Sequence, residues 1–387
     1  MSKRFTRISS PYFIHTITNC NHIEHSHVLY SNAEQQASPT QLQSILQACS
    51  GPSVLQQGRQ VHAQVIVSGY TYSNNNGLLV AKLLGMYVLC GSFVDAKNVF
   101  YKLELRSSAW SWNWMIRGFT MMGWFDFALL FYFKMLGCGI SPDKYTFPCV
   151  IKACGGLNNV RLGKLVHQTI RLTGFEFDVF VGSSLIKMYA ENGCIGDARY
   201  LFDKMPHKDC VMWNIMLNGY VKKEDSSSAL QMFLGMRYSD IRPNSVTFAC
   251  ILSVCASEAM VVLGTQLHGL VIRCGLELDS PVANTLLAMY SKCQKLFDAC
   301  ELFDRMPQTD LVTWNGMISG FVQNGCMGEA LHLFREMISI GVKPDSITFA
   351  SFLPSVTESA CFKQGKWRWH ANFLAKAAQL MLLFARL

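Results

Sequence analysis

Trp112-Asn113 is followed 101 residues later by Trp213-Asn214, and after another 101 by Trp314-Asn315. The same offset links Pro142, Pro243 and Pro344, and also Ala128, Ala229 and Ala330. It joins His167 to His268, Tyr189 to Tyr290, and Met205-Pro206 to Met306-Pro307. A unit copied in register at this many positions restricts the fold more than any single motif. Repeats bury a continuous core by stacking, each touching only its neighbours, so chain length sets no domain count. Half of the 387 residues are hydrophobic and 16% are charged, which is ample apolar material for such a core.

Within each 101-residue unit the periodicity resolves three helical hairpins of 35, 35 and 31 residues. Over 311–345, Trp314, Met317, Ile318 and Phe321 fall at i, i+3, i+4 and i+7, one face of a first helix. Gly325 marks a turn, and Ala330, Leu333, Phe334 and Met337 form the facing stripe of a second helix. Gly341 offers a C-terminal cap and Pro344 prevents continuation. Hairpins 109–143 and 210–244 repeat this template. A second type occupies 39–73, 144–178 and 245–279, with Gly58 and His62, Gly163 and His167, and Gly264 and His268 at matching places. A third, shorter type occupies 77–107, 179–209 and 280–310, each carrying Met-Tyr. A tenth hairpin begins at Ser346 and keeps register to about residue 360. No hairpin alone covers both sides of its apolar stripe. The expectation is therefore an all-α chain: a right-handed α-solenoid of tandem helix-turn-helix repeats from 39 to 360, as one structural domain.

The fifteen cysteines do not read as a disulfide framework. Cys154 and Cys255 sit at equivalent positions in apolar helices, where a thiol behaves as a small hydrophobe, and no C-x-x-C occurs. Free thiols in a reducing compartment are expected, with no metal and no cofactor. The formal charge of +8 suits a polyanionic partner without demanding one. No apolar run reaches membrane-spanning length, so no membrane partner is expected. Residues 1–38 open with Lys3, Arg4 and Arg7, several Ser and Thr, and no acidic residue before Glu24. That composition suits an organellar transit peptide, the mitochondrion being preferred over the chloroplast. His22-Ile23-Glu24 fits half of a zinc deaminase signature, but no P-C-x-x-C accompanies it and the match is read as coincidence.

A 35-residue unit with Trp-Asn near its start and Gly-[Ile/Val]-x-Pro-[Asp/Asn] at its end resembles the pentatricopeptide repeat. Triplets of long, long and short units resemble the PLS subclass of land-plant organelles. Tetratricopeptide repeats run at 34 residues with W-x-x-L-G-x-x-Y in helix one, which is absent here. The resemblance implies a modular reader of single-stranded RNA, one base per repeat. It places base reading on the fifth and last residues of a unit. These are Asn113 with Asp143, Asn214 with Asn244, Asn315 with Asp345, Ser183 with Asp209, and Asn284 with Asp310. By resemblance, Asn-Asp favours uracil, Asn-Asn favours pyrimidines with cytosine first, and Ser-Asp leans to guanine. Pro148, Ala249 and Ala350 at the fifth position of the second-type units cannot hydrogen-bond a base and read as spacers. The implied 5′ to 3′ preference is U, an unread base, G, C or U, an unread base, U and U. Trp110, Phe180, Val211 and Val312 match the family's apolar second position, from which Pro281 departs.

Other readings compete at each of these positions. Asp143, Asn244 and Asp345 precede helices, where Asp and Asn cap the N-terminus, so capping and base reading are expected together. Trp112, Trp213 and Trp314 share helical spacing with Met and Ile and read as core. His62, His167 and His268 read as packing residues. The repeat register is lost from Trp367, so 361–387 reads as an atypical tail of a chain truncated before any extension or deaminase domain. The implied function is a non-enzymatic specificity adaptor for organellar RNA processing, with C-to-U editing first and any deaminase supplied in trans. Rival readings are a protein-binding scaffold and a fragment of an editing enzyme.

Overall fold

In this computed structural model the described residues are 38–49, 51–70, 77–102, 109–307 and 309–351. The expected leader, its H-x-E triplet, the atypical tail and most of the hairpin begun at Ser346 lie outside them. Every regular element among the described residues is helical, eighteen α-helices and one short 3-10 turn. They form two compact units, one extending to Gly118 with Gly137–Ile140, the other comprising Phe119–Leu136 and the residues from Ser141 onward.

The first unit holds α1 (Pro39–Ala48), α2 (Leu55–Val67), α3 (Gly77–Leu89) and α4 (Phe93–Lys102). The next helix, α5 (Ala109–Met121), divides between the two units. The second unit carries α6 (Phe125–Gly137) up to Leu136, α7 (Thr146–Gly156), α8 (Val160–Thr173), α9 (Val179–Glu191), α10 (Ile195–Lys204), α11 (Cys210–Lys222) and α12 (Ser226–Tyr238). It continues through α13 (Ser245–Ser257), α14 (Val261–Arg273), α15 (Ser280–Lys292), α16 (Leu296–Arg305), α17 (Leu311–Gln323) and α18 (Met327–Ser339). From α7 to α17 each odd-numbered helix packs on the next odd-numbered helix. Each even-numbered helix from α8 to α16 packs on its own partner and on the first helix of the next hairpin. Each hairpin thus closes its neighbour, and the chain is an α-solenoid.

The expected apolar stripes are buried, apart from Leu333 of α18, which is half-buried. Trp213, Met216, Leu217 and Tyr220 of α11 face Ala229, Met232, Phe233 and Met236 of α12, all buried. The three periodic tryptophans lie inside, edge-on against Phe100, Phe202 and Phe303 at 5.0, 4.8 and 4.9 Å. The 31-residue units are short because their second helices are: α10 and α16 have 10 residues where α12 and α18 have 13. Pro206 and Pro307 explain the early stop. Each forces the residue before it out of helix, and Met205 and Met306 have ψ of 127° and 125°. Gly325 supplies the expected hairpin turn at φ +75°, but the equivalent place between α11 and α12 is filled by Glu224 at φ +58°.

Close approach explains why the second-type units carry glycine. A Cβ on Gly264 would lie 2.6 Å from Met289 Sδ, and one on Gly163 would lie 2.8 Å from Met188 Cε. The histidine of those units does more than pack. His167 Nδ1 lies 3.0 Å from the Tyr189 hydroxyl and Nε2 lies 3.0 Å from Glu176. His268 repeats the pattern with Tyr290 at 2.7 Å and Glu277 at 3.2 Å. A carboxylate can only accept, so Nε2 holds the proton and donates. In the neutral ring Nδ1 then accepts from the tyrosine, whose hydroxyl burial pushes up to about 12 in both cases. The reading as packing alone is thereby corrected: the imidazole is the polar tie between one hairpin and the next. Burial also raises the Cys154 thiol to about 12 and Cys255 to about 11, which keeps both unreactive. No helix among the described residues is long and apolar enough to cross a membrane.

Candidate nucleic-acid interface

Near the start of three first helices stands an asparagine that the hairpin holds against the start of the next: Asn214, Asn284 and Asn315. In α11 that residue is Asn214, with 9% of its surface exposed. Its Nδ2 donates to Asn244 Oδ1 at 3.0 Å, and its Oδ1 accepts from the Thr247 hydroxyl at 2.7 Å. Asn244 in turn caps α13, its Oδ1 accepting from the Thr247 amide at 3.1 Å while its own amide donates to Thr247 Oγ1 at 3.2 Å. A hydroxyl has one proton. Asn244 Oδ1 is fixed as an acceptor by the Thr247 amide, so the Asn214 atom facing it is the Nδ2 donor and Oδ1 is left to accept from the hydroxyl, at the shorter of its two contacts.

The arrangement recurs one unit on. Asn315 Nδ2 donates to Asp345 Oδ1 at 3.1 Å, and the Thr348 hydroxyl donates to Asn315 Oδ1 at 2.6 Å. The Thr348 amide donates to Asp345 at 2.8 Å. That amide, with the Thr348 hydroxyl and Asn315, brings the Asp345 carboxyl below the usual aspartate range against a smaller desolvation effect. At Asn284 half of the clamp is present: Thr313 Oγ1 lies 2.8 Å from both Asn284 Oδ1 and Asp310 Oδ1. Burial raises the Asp310 carboxyl, but the Thr313 amide and hydroxyl, the Val312 amide and Asn284 outweigh it and leave it lowered.

The remaining pairs differ. Ser183 donates to the Phe180 carbonyl of its own helix at 3.1 Å, and Asp209 caps α11 through the Met212 amide at 2.9 Å. No hydrogen bond joins the two, because Met212 stands where Thr247, Thr313 and Thr348 supply the bridging hydroxyl. Asn113, buried, belongs to the first unit. Asp143 belongs to the second, where it accepts from the Thr146 amide at 2.9 Å.

The threonine three residues after Asp143, Asn244, Asp310 and Asp345 went unrecognised in the sequence. Its signal was available: Thr146, Thr247 and Thr348 are 101 residues apart and stand at the third position of a capping box. At Asn315 the clamp uses one N–H and one carbonyl lone pair, leaving an adjacent donor and acceptor of the kind a nucleobase edge complements, whereas at Asn214 the amide nitrogen also lies 3.6 Å from Cys210 Sγ. Exposed apolar side chains flank it. Val211 and Val312 stand three residues before Asn214 and Asn315 on the same helical face, 58% and 63% exposed. Phe180 takes that place before Ser183 and is 72% exposed. Among the described residues no group of His, Cys, Asp or Glu is arranged to hold a metal.

Comparison with known sequences accounts for the hairpins. Residues 208–257 and 309–355 match the PPR repeat family, and 110–140, 183–210 and 282–310 match the PPR repeat. The chain carries pentatricopeptide repeats. It is 38% identical over 324 residues to a chloroplastic pentatricopeptide repeat-containing protein of Arabidopsis thaliana, covering 84% of this chain and 60% of the relative. It is 33% identical to the chloroplastic pentatricopeptide repeat-containing protein CRR2 of the same plant, covering 87% of this chain and 53% of the relative. The chain thus spans roughly half the length of these relatives. Among solved structures it is similar to the pentatricopeptide repeat protein PPR10 in complex with an 18-nt psaJ RNA element, with a TM-score of 0.71 at 18% identity. That match covers 85% of this chain and 48% of that one. PPR10 from maize matches with a TM-score of 0.67 at 17% identity, over 89% and 49% of the two chains. At such identity the likeness speaks for the fold.

Proposed function

We propose that this chain binds single-stranded RNA sequence-selectively, each clamped polar side chain meeting one base. The observation that carries this reading is the Asn–Asn/Asp–Thr clamp. Asn214 and Asn315 are nearly buried, and their two bonds fix which end of each amide is donor and which acceptor, as a residue that discriminates base edges requires. Val211, Val312 and Phe180 beside the polar tips give base faces an apolar surface to lie on, and the positive net charge favours the phosphate backbone. The bound complex of PPR10 agrees with this use of the fold.

The repeating 35, 35 and 31 residue units, with shortened second helices in the third, support a PLS-type array. The units proposed are 39–73, 144–178 and 245–279 as L, 77–107, 179–209 and 280–310 as S, 109–143, 210–244 and 311–345 as P, and 346–360 as a partial L. The role proposed is that of a specificity adaptor in organellar transcript processing, C-to-U editing first, with a deaminase acting in trans. Several relatives are named as chloroplastic, so the plastid replaces the mitochondrion as the proposed compartment. The test is binding of the full chain to RNAs that vary at one base, by fluorescence anisotropy at two salt concentrations. Asn315→Ser is expected to move preference at one base from pyrimidine toward purine. An unchanged profile, or no discrimination among homopolymers by the unaltered chain, would refute the reading.

A further inference from the structure

Asn214 and Asn315 are the same residue at the same place in their hairpins, and the last-position residue meets each in the same way. Asn244 Oδ1 accepts from Asn214 Nδ2 at 3.0 Å, and Asp345 Oδ1 accepts from Asn315 Nδ2 at 3.1 Å. A threonine hydroxyl donates to the amide oxygen in both, at 2.7 and 2.6 Å. What differs is the residue four places earlier, which one turn of helix sets on the same face. Before Asn315 it is Leu311, with no polar side-chain atom to offer. Before Asn214 it is Cys210, whose Sγ lies 3.6 Å from Asn214 Nδ2. An amide nitrogen can only donate, so at this contact the sulfur accepts. Burial raises the Cys210 thiol, which therefore meets the amide as a neutral group and not as a thiolate.

The two protons of Asn214 Nδ2 thus meet Asn244 and Cys210, and the amide has only a carbonyl lone pair left for a base. Asn315 keeps an N–H as well. The two readers present different edges although their residue type is the same. Cytosine and uracil respond differently to that loss. Where their edges differ, cytosine carries an amino group that donates and uracil a carbonyl that accepts. A carbonyl oxygen alone pairs with the cytosine amino group, but it faces the uracil carbonyl lone pair to lone pair. The one donor left on the uracil edge, N3–H, lies between two carbonyls, so an incoming oxygen reaches it against their repulsion. An amide that also offers an N–H satisfies one of those carbonyls while accepting from N3–H. Withholding the N–H therefore favours cytosine, and supplying it favours uracil.

We infer that Cys210 is a positioning residue that turns Asn214 toward cytosine over uracil by occupying its second N–H. The inference rests on the proposed reading of Asn214 as a base contact. The full chain is titrated by fluorescence anisotropy against RNAs of the implied base order. These carry C or U at the fourth base, assigned to Asn214, or at the seventh, assigned to Asn315. Cys210→Leu, which copies the residue before Asn315, should lower the C-to-U affinity ratio at the fourth base about fivefold, the worth of one modest hydrogen bond. The ratio at the seventh base should not move, which shows that the array is still folded. Cys210→Ala should act likewise without added bulk, and Cys210→Ser, which keeps an acceptor, should hold the ratio within about twofold. In the opposite direction, Leu311→Cys should raise the C-to-U ratio at the seventh base. If Asn214→Ala abolishes the fourth-base ratio but Cys210→Leu and Cys210→Ala leave it in place, the role of the thiol is overturned and base reading by Asn214 stands. A ratio that survives Asn214→Ala would overturn base reading at that residue, and this inference with it.

Discussion

Replacing Thr247 by valine removes the hydroxyl that holds Asn214 in orientation while keeping the shape of the side chain. Thr247 is fully buried. Its hydroxyl donates to Asn214 Oδ1 at 2.7 Å and accepts from the Asn244 amide at 3.2 Å. A buried polar group left without its partner costs about 1–3 kcal/mol. Asn214 retains a little exposure and its bond to Asn244, so the low end applies to it, and Asn244 is open enough for water to serve its amide. The expected loss is about 2 kcal/mol, localised to the junction of α11 and α13. Hydrogen exchange resolved along the chain reads it directly, because repeat arrays open locally. Crossing Thr247→Val with Asn214→Ala should give a coupling of about 1 kcal/mol, since each change removes the same bond. Under the proposed function, the freed amide can present either end to a base. Discrimination at that base should fall about fivefold, roughly 1 kcal/mol. Thr247→Ser keeps the hydroxyl and should keep the discrimination, while losing about 1 kcal/mol of stability with the methyl group. A coupling below about 0.3 kcal/mol, with serine and valine equivalent in binding, would show that the threonine merely caps α13.

Glu224 holds a left-handed turn that glycine holds at Gly123 and Gly325. Glu224→Gly should therefore stabilise the hairpin by about 0.5–1 kcal/mol, the relief of a crowded Cβ less the entropy of glycine, and a lowered urea midpoint would contradict this. His268→Phe preserves volume but removes the links to Tyr290 and Glu277, with an expected loss of about 2 kcal/mol in chemical denaturation. A neutral outcome would restore the simpler view of this ring as filler.

Much of this fold could be read from spacing. Trp314, Met317, Ile318 and Phe321 announced one buried face, and all four are buried; Gly325 and Gly341 announced turns, and both have positive φ. Periodicity succeeds here because each hairpin's core is built from residues close in sequence. It reports which face is apolar but not what polar atoms meet across hairpins. The partners of His268 are 9 and 22 residues away, and the bridge from Thr247 to Asn214 spans 33. The threonine was visible only as a cap, since a hydroxyl at the third helical position satisfies a capping pattern whether or not it reaches further. In α6 the limit is different. A helix apolar on nearly every side reads as deeply buried, and only the structure separates Leu129 from Leu130.

The bridging threonine also redraws the boundary of a functional module. Asn214 and Asn244 lie in one hairpin, but the hydroxyl that orients them comes from the opening turn of the hairpin after it. Under the proposed function, transplanting residues 210–244 alone would deliver a reader whose orientation depends on whatever residue the host supplies three places downstream. A cassette extended to Thr247 would travel with its own setting, and on the same reading shuffling units at their apparent seams would rewrite specificity one position upstream of each cut.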